Sequence, residues 1–118
     1  MNFKNWLLTE NHFILPLNKI WGSPEKLRQS IDEVLKGQIS YSSNKPIIVS
    51  QLDNPKNHFY LMDGYHRVIE AFQSNQLQIP AVIDIHIPRI ERTGGAYSDR
   101  MIEKVLIVDS LKTILNQG

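Results

Sequence analysis

The residues best equipped for chemistry stand together, as Asp63-Gly64-Tyr65-His66-Arg67. Ahead of them His58-Phe59-Tyr60-Leu61-Met62 is short, aromatic and apolar, as a buried strand should be. Behind them Val68-Ile69-Glu70-Ala71-Phe72 puts Val68, Ile69 and Phe72 on one side of a helix expected over 66–75, with Asn75 as its stop. Polar groups therefore collect where a strand feeds a helix. There, free backbone N–H groups and the positive end of the helix dipole can hold an anion. Gly64 lets the backbone bend and come close to a ligand. His66 and Arg67 add donors, and an arginine can grip a phosphate with two parallel bonds. Asp63 could accept a hydrogen bond, hold a metal ion or act as a base. Plain structural roles fit the same residues. Asp-Gly is a common turn pair, Asp63 could serve only as an N-cap, and His66 could be a satisfied packing residue. From the residues alone, an anion site is the most that can be claimed.

The flanking elements must position that turn. Phe13-Ile14-Leu15 begins a first strand with Pro16 at its edge. Ser23-Pro24 opens a helix over 24–36 with a cap and a first-position proline. Leu27, Ile31, Val34 and Leu35 give it one apolar face, and Gly37 ends it. Pro46 to Ser50 is the next strand, and Asp53-Asn54-Pro55-Lys56-Asn57 turns it back into the strand before Asp63, making a hairpin. Pro80 to Ile87 reads as another strand. Phe59, Leu61, Val68, Ile69, Phe72, Val82 and Ile83 are expected to share one core with Leu27, Ile31, Ile47 and Val49.

In this order the elements resemble the ParB/sulfiredoxin superfamily. The turn from Asp63 to Arg67 is similar to that family's Asp-Gly-X-His-Arg turn. Leu15 to Ile20 is similar to its opening strand, Leu27 to Ile31 to its first helix, and Lys45 to Val49 to its next strand, so the motif core covers about 13–87. The resemblance implies a small mixed sheet with packed helices, of α/β (α+β) class, and a nucleotide phosphate or similar anion at the turn. Gly64, Tyr65, His66 and Arg67 would then bind the phosphate. Asp63, His66 and Arg67 would be catalytic, and Asp63 would take a magnesium ion. A nucleoside triphosphate would be ligand or substrate. The chemistry implied is metal-assisted phosphoryl transfer to water, as triphosphate hydrolysis or nucleic-acid cleavage, with DNA a possible partner. The other reading is a non-catalytic module that binds nucleotide, DNA or protein. The sequence departs from the family in three places. Tyr65 stands where sulfiredoxins carry the catalytic cysteine, and the chain has no cysteine, which excludes cysteine-based redox chemistry. Where free serine kinases carry a further acid the chain reads Trp21-Gly22-Ser23-Pro24, with Glu25 nearest. The sequence stops at Gly118, so the helix-turn-helix and dimer domains of partition proteins are expected to be missing.

A chain of 118 residues suits a single domain, 1–118. Hydrophobic residues at 42% and charged residues at 21% are those of an ordinary globule, and a net charge of +1 gives no general basic field for wrapping nucleic acid. No membrane span and no signal peptide are expected, and the location expected is cytoplasmic. Residues 2–9 read as a short helix or a loosely docked arm, and 38–44 as a connector or a loop over the site. Arg89, Arg92 and Gly94-Gly95 form a second anion-site candidate, against a solvated connector. Trp21 reads as a core lid rather than a ligand platform. His12, His58 and His86 lack metal-ligand spacing. A last helix over 98–116, capped by Ser98, carries apolar residues on a wide surface. It could pack on the sheet, or form a homodimer through Met101, Val105, Val108 and Leu111. A second carboxylate facing Asp63 would favour catalysis, with Glu25, Glu91 and Asp99 as candidates.

Overall fold

The computed structural model describes residues 12–37, 45–90 and 102–115. Strand β1 (Phe13–Pro16) lies at one end of a mixed sheet, antiparallel to β5 (Gln78–Ile83). β5 runs parallel to β3 (Ile47–Leu52), which forms the expected hairpin with β4 (Phe59–Asp63). Beyond β4 come β2 (Ile20–Gly22), parallel to it, and β7 (Val105–Leu106), antiparallel to β2. A short β6 (Arg89–Ile90) continues along β3 where β5 leaves off. Among the described residues three α-helices accompany the sheet: α1 (Pro24–Leu35), α2 (Tyr65–Gln73) and α3 (Ile107–Leu115). The class is mixed α and β, as expected. No helix among the described residues is long and apolar enough to cross a membrane.

The expected opening strand over Leu15 to Ile20 is split. Pro16 ends β1, a 3-10 turn takes Leu17–Lys19, and β2 begins at Ile20. A proline fixes its own φ and offers no N–H to a ladder. The split also forces curvature. β1 and β2 stand four strand spacings apart in the sheet order, which is about 19 Å in a flat sheet. The chain from Pro16 to Ile20 can span at most about 15 Å. The sheet must therefore curl until its first and fifth strands approach each other.

Two further boundaries move. Strand β5 stops at Ile83, short of Ile87, because the Asp84 carboxylate accepts from the N–H groups of His86 and Ile87 and bends the chain. The last helix does not extend across 98–116. Val105 and Leu106 are strand, laid against Gly22 and Trp21, and the helix starts at Ile107. The run Val105-Leu106-Ile107-Val108 is rich in β-branched side chains, and an open edge of β2 lets tertiary pairing win over helical periodicity. Within α3, Ile107, Val108 and Leu111 are buried in the chain's own core, so two of the side chains named for a dimer are used internally. Met101 and Ser98 lie outside the described residues.

The core gathers Leu27 and Ile31 of α1, Ile47 and Val49 of β3, Leu61 of β4, and Val68 and Ile69 of α2, with Phe59, Phe72 and Ile83 packed half-buried against it. Val82 is not part of this cluster. It alternates with Ala81 and Ile83 along β5, so it turns to the opposite face beside Ile48. α2 touches α1, α3, β3 and β5, which makes its first turn the place where the layers meet. We expect Ile69→Ala, a deletion at a fully buried site, to cost about 2–5 kcal/mol by denaturant unfolding with an unchanged slope. Phe72→Ala should cost less than Ile69→Ala, because its ring is only half-buried.

Candidate functional site

Gly64 caps α2 in the left-handed conformation, with φ of +114° and no side chain to cap the helix. A Cβ there would stand 2.7 Å from Cγ2 of Ile47 and 3.0 Å from Nη2 of Arg67. Only glycine satisfies both the dihedral and the contact. The turn therefore brings bare backbone onto β3 and leaves the first N–H groups of α2 without a side-chain acceptor from Gly64.

The side chains after Gly64 go to three different places. Tyr65 turns into the core. Its hydroxyl accepts from the N–H of Ser23 at 2.9 Å and donates to the carbonyl of Leu61 at 3.3 Å. Gly22 makes room for it, since a Cβ there would lie 3.0 Å from the phenol oxygen. Burial pushes the Tyr65 pKa strongly upward. The ring is an anchor between α2 and the start of α1, and only its backbone is placed to cradle a ligand.

Arg67 is buried, at 8% exposure. Its Nη1 donates to the carbonyls of Lys45, at 2.7 Å, and Pro46, and its Nη2 to Oδ2 of Asp63 at 3.3 Å. The guanidinium thus ties the start of β3 to the end of β4. Asp63 itself is 70% exposed, so this ion pair is screened on one side.

His66 faces α1. Its Nε2 lies 3.1 Å from Oε1 of Glu33. With the carboxylate as acceptor, Nε2 carries the proton of that bond and Nδ1 is left as an acceptor. Glu33 orients the imidazole as carboxylates orient histidines in acid–base sites.

These groups enclose a cavity of about 280 Å³, walled by the turn from Asp63 to Arg67 on one side and by Ser30 and Glu33 on the other. The structure thus brings all five turn residues to one cavity. Glu25 is exposed in the first turn of α1 and is not among the lining residues. The second carboxylate is Glu33, which the sequence reading did not name. No local pattern marks it, because Glu33 reads as a solvated position on α1; Ser30, three positions earlier, lines the same cavity. Glu91, Asp99, Arg92, Gly94-Gly95 and the segment 38–44 lie outside the described residues, as does 2–9. Arg89 lies elsewhere, 3.2 Å from Asp53. Trp21 is half-buried and donates to Nδ1 of His58 at 2.9 Å, while His12 and His86 are exposed. Among the described residues no three His, Asp or Glu side chains gather closely enough to hold a metal by themselves. Compared with known proteins, the chain matches no family model and no curated sequence.

Tyr65 sets a pH dependence. Its folded pKa lies above the unfolded value of about 10, so its contribution to stability is complete below pH 10 and is lost as pH rises further. We expect Tyr65→Phe to lose about 1–2 kcal/mol at pH 7 through the lost bonds of its hydroxyl, yet to show a shallower decline in thermal midpoint between pH 9.5 and 11. Arg67→Ala should lower stability by about 1.5–3 kcal/mol in denaturant melts even without ligand, the scale of lost charge-assisted bonds.

Proposed function

We infer that this chain is a ParB/sulfiredoxin-type domain that binds a phosphate-bearing ligand, a nucleoside triphosphate in the leading case, at the cavity beside Gly64, and carries out phosphoryl transfer to water. The observation that carries this reading is one cavity holding an uncapped helix start, a carboxylate-oriented histidine and two carboxylates. The N–H groups of α2 would receive phosphate oxygens. His66 would move a proton at Nδ1. Triphosphate hydrolysis and nucleic-acid cleavage are both within this class, with DNA a partner in the second, and a cytoplasmic location goes with either.

The charge balance of the cavity bears on the metal. Arg67 faces Asp63 and Glu33, so a bare phosphate would meet excess negative charge. Hard carboxylate oxygens suit magnesium, which is commonly held by one or two carboxylates together with substrate phosphates and water. Asp63 and Glu33 fit that role. Magnesium bound there would neutralise and polarise the phosphoryl group. Asp63, mostly exposed, is the better placed of the two to meet a nucleotide from solvent.

A second reading, a binding module without turnover, is favoured by Arg67. Its guanidinium is committed to two carbonyls and Asp63, which reduces what it can give a transition state. A nucleotide panel followed by thermal shift, with and without magnesium, separates these readings from no site at all. We expect triphosphate to stabilise the protein only with magnesium, and Glu33→Gln to relax that requirement. Asp63→Asn should keep the fold and most of the affinity while lowering phosphate release or strand cleavage about a hundredfold. Binding with no turnover in the wild type would select the module. An Asp63→Asn variant as active as wild type would remove Asp63 from the mechanism.

A further inference from the structure

A second cavity, of about 470 Å³, opens at the other end of the β3–β4 hairpin, where Leu52 and Phe59 meet the turn that joins the strands. It lies four residues back along β4 from Asp63, which at about 3.3 Å per residue separates it from the first cavity by more than 10 Å. Its size falls within the range of small-molecule sites. Its floor is apolar, from Leu52 and Phe59. Its rim is charged, from Lys56, Arg89 and Asp53, with His58 beside them.

Two of these groups have their geometry set by neighbours. Nε of Arg89 bonds Oδ1 of Asp53 at 3.2 Å, which aims the guanidinium across the turn and leaves its two terminal nitrogens as donors beyond that contact. The indole N–H of Trp21 donates to Nδ1 of His58 at 2.9 Å. An imidazole that accepts at Nδ1 carries its proton on Nε2, so the ring presents a second fixed donor. Among the described lining residues, two cations against one carboxylate leave a single positive charge in excess above an apolar floor.

We propose that this cavity binds a small organic monocarboxylate with an aromatic or branched apolar body. The body covers Phe59 and Leu52, and the carboxylate takes its bonds from Arg89, Lys56 and His58. A single excess positive charge matches a monoanion better than a phosphate dianion, and an apolar floor rewards a ligand that has a hydrocarbon part.

The test is a nuclear magnetic resonance titration of the intact chain with phenylacetate, its uncharged analogue phenylacetamide, and inorganic phosphate. The reporter is the indole N–H of Trp21, distinguished from that of Trp6 in a Trp6→Phe background. Phenylacetate is expected to move that signal saturably, with phenylacetamide and phosphate at least tenfold weaker. Lys56→Gln and Arg89→Gln are each expected to weaken phenylacetate at least tenfold in proteins whose spectra stay dispersed. Asp53→Asn removes the competing carboxylate and is expected to tighten it, and Asp63→Asn to leave it unchanged. No saturable shift with phenylacetate, equal binding of the amide or of phosphate, or indifference to both Lys56→Gln and Arg89→Gln would overturn the proposal. Because Asp63→Asn alters only the first cavity, failure of the nucleotide reading leaves this result intact.

Discussion

A buried guanidinium under a left-handed glycine is the constraint on which the rest of the structure turns. Arg67 is almost wholly removed from water, and a cation so placed must be given acceptors. It finds them in the carbonyls of Lys45 and Pro46 and in Asp63. Those acceptors are available only because β3 begins beside the end of β4, and that close approach is possible only because position 64 has no Cβ. Glycine and arginine are thus one device: the first lets the backbones meet and the second fastens them. Asp63 and the first turn of α2 inherit their positions from it.

Tyr65 extends the same logic to α1. A phenol in the core must bond at its hydroxyl, and it does so to the amide of Ser23 and the carbonyl of Leu61. The start of α1 is therefore fixed to the start of α2, with Gly22 allowing the contact. Eleven residues along from Pro24, α1 ends near the same cavity, so its last turn can deliver Glu33 to His66. Neither the aspartate-first turn nor the histidine–glutamate pair is made by neighbours in sequence alone. Both are consequences of where two anchors hold the helices.

This explains which parts of the structure were legible in the sequence. Local chemistry was. Ser23, Pro24 and Gly37 bound α1 as capping rules require, Asn75 stops α2 in a left-handed conformation, and the residues 53–57 close the β3–β4 hairpin. What depends on distant pairing was not. Leu17–Lys19 interrupts what reads as one strand, because the chain must pass from one end of a curled sheet to the other. Val105 and Leu106 have the spacing of a helix and become a strand because β2 offers an edge. Glu33 reads as a solvated helix residue until α2 is laid across it. Arg67 reads as a ligand clamp, and its acceptors are carbonyls more than twenty positions away, which no local pattern reports.

The electrostatics of the first cavity follow from that last point. A phosphate turn is ordinarily read by counting its cations. Here the arginine is already balanced by Asp63 and two carbonyl dipoles, and the histidine by Glu33, so the count of cations overstates the field that a ligand would meet. What is left is an array of backbone donors edged by carboxylates. Such an array would distinguish ligands by the charge they carry with them. On the phosphate reading proposed above, an anion arriving bare would be disfavoured by Asp63 and Glu33, whereas one arriving with a divalent cation would find donors for its oxygens and carboxylates for its metal. On that reading, the fold's need to satisfy a buried arginine would become the rule of selection at the site. The residue that looks most like a binding group would then shape the preference chiefly by being engaged elsewhere, with the carbonyls of Lys45 and Pro46 and with Asp63.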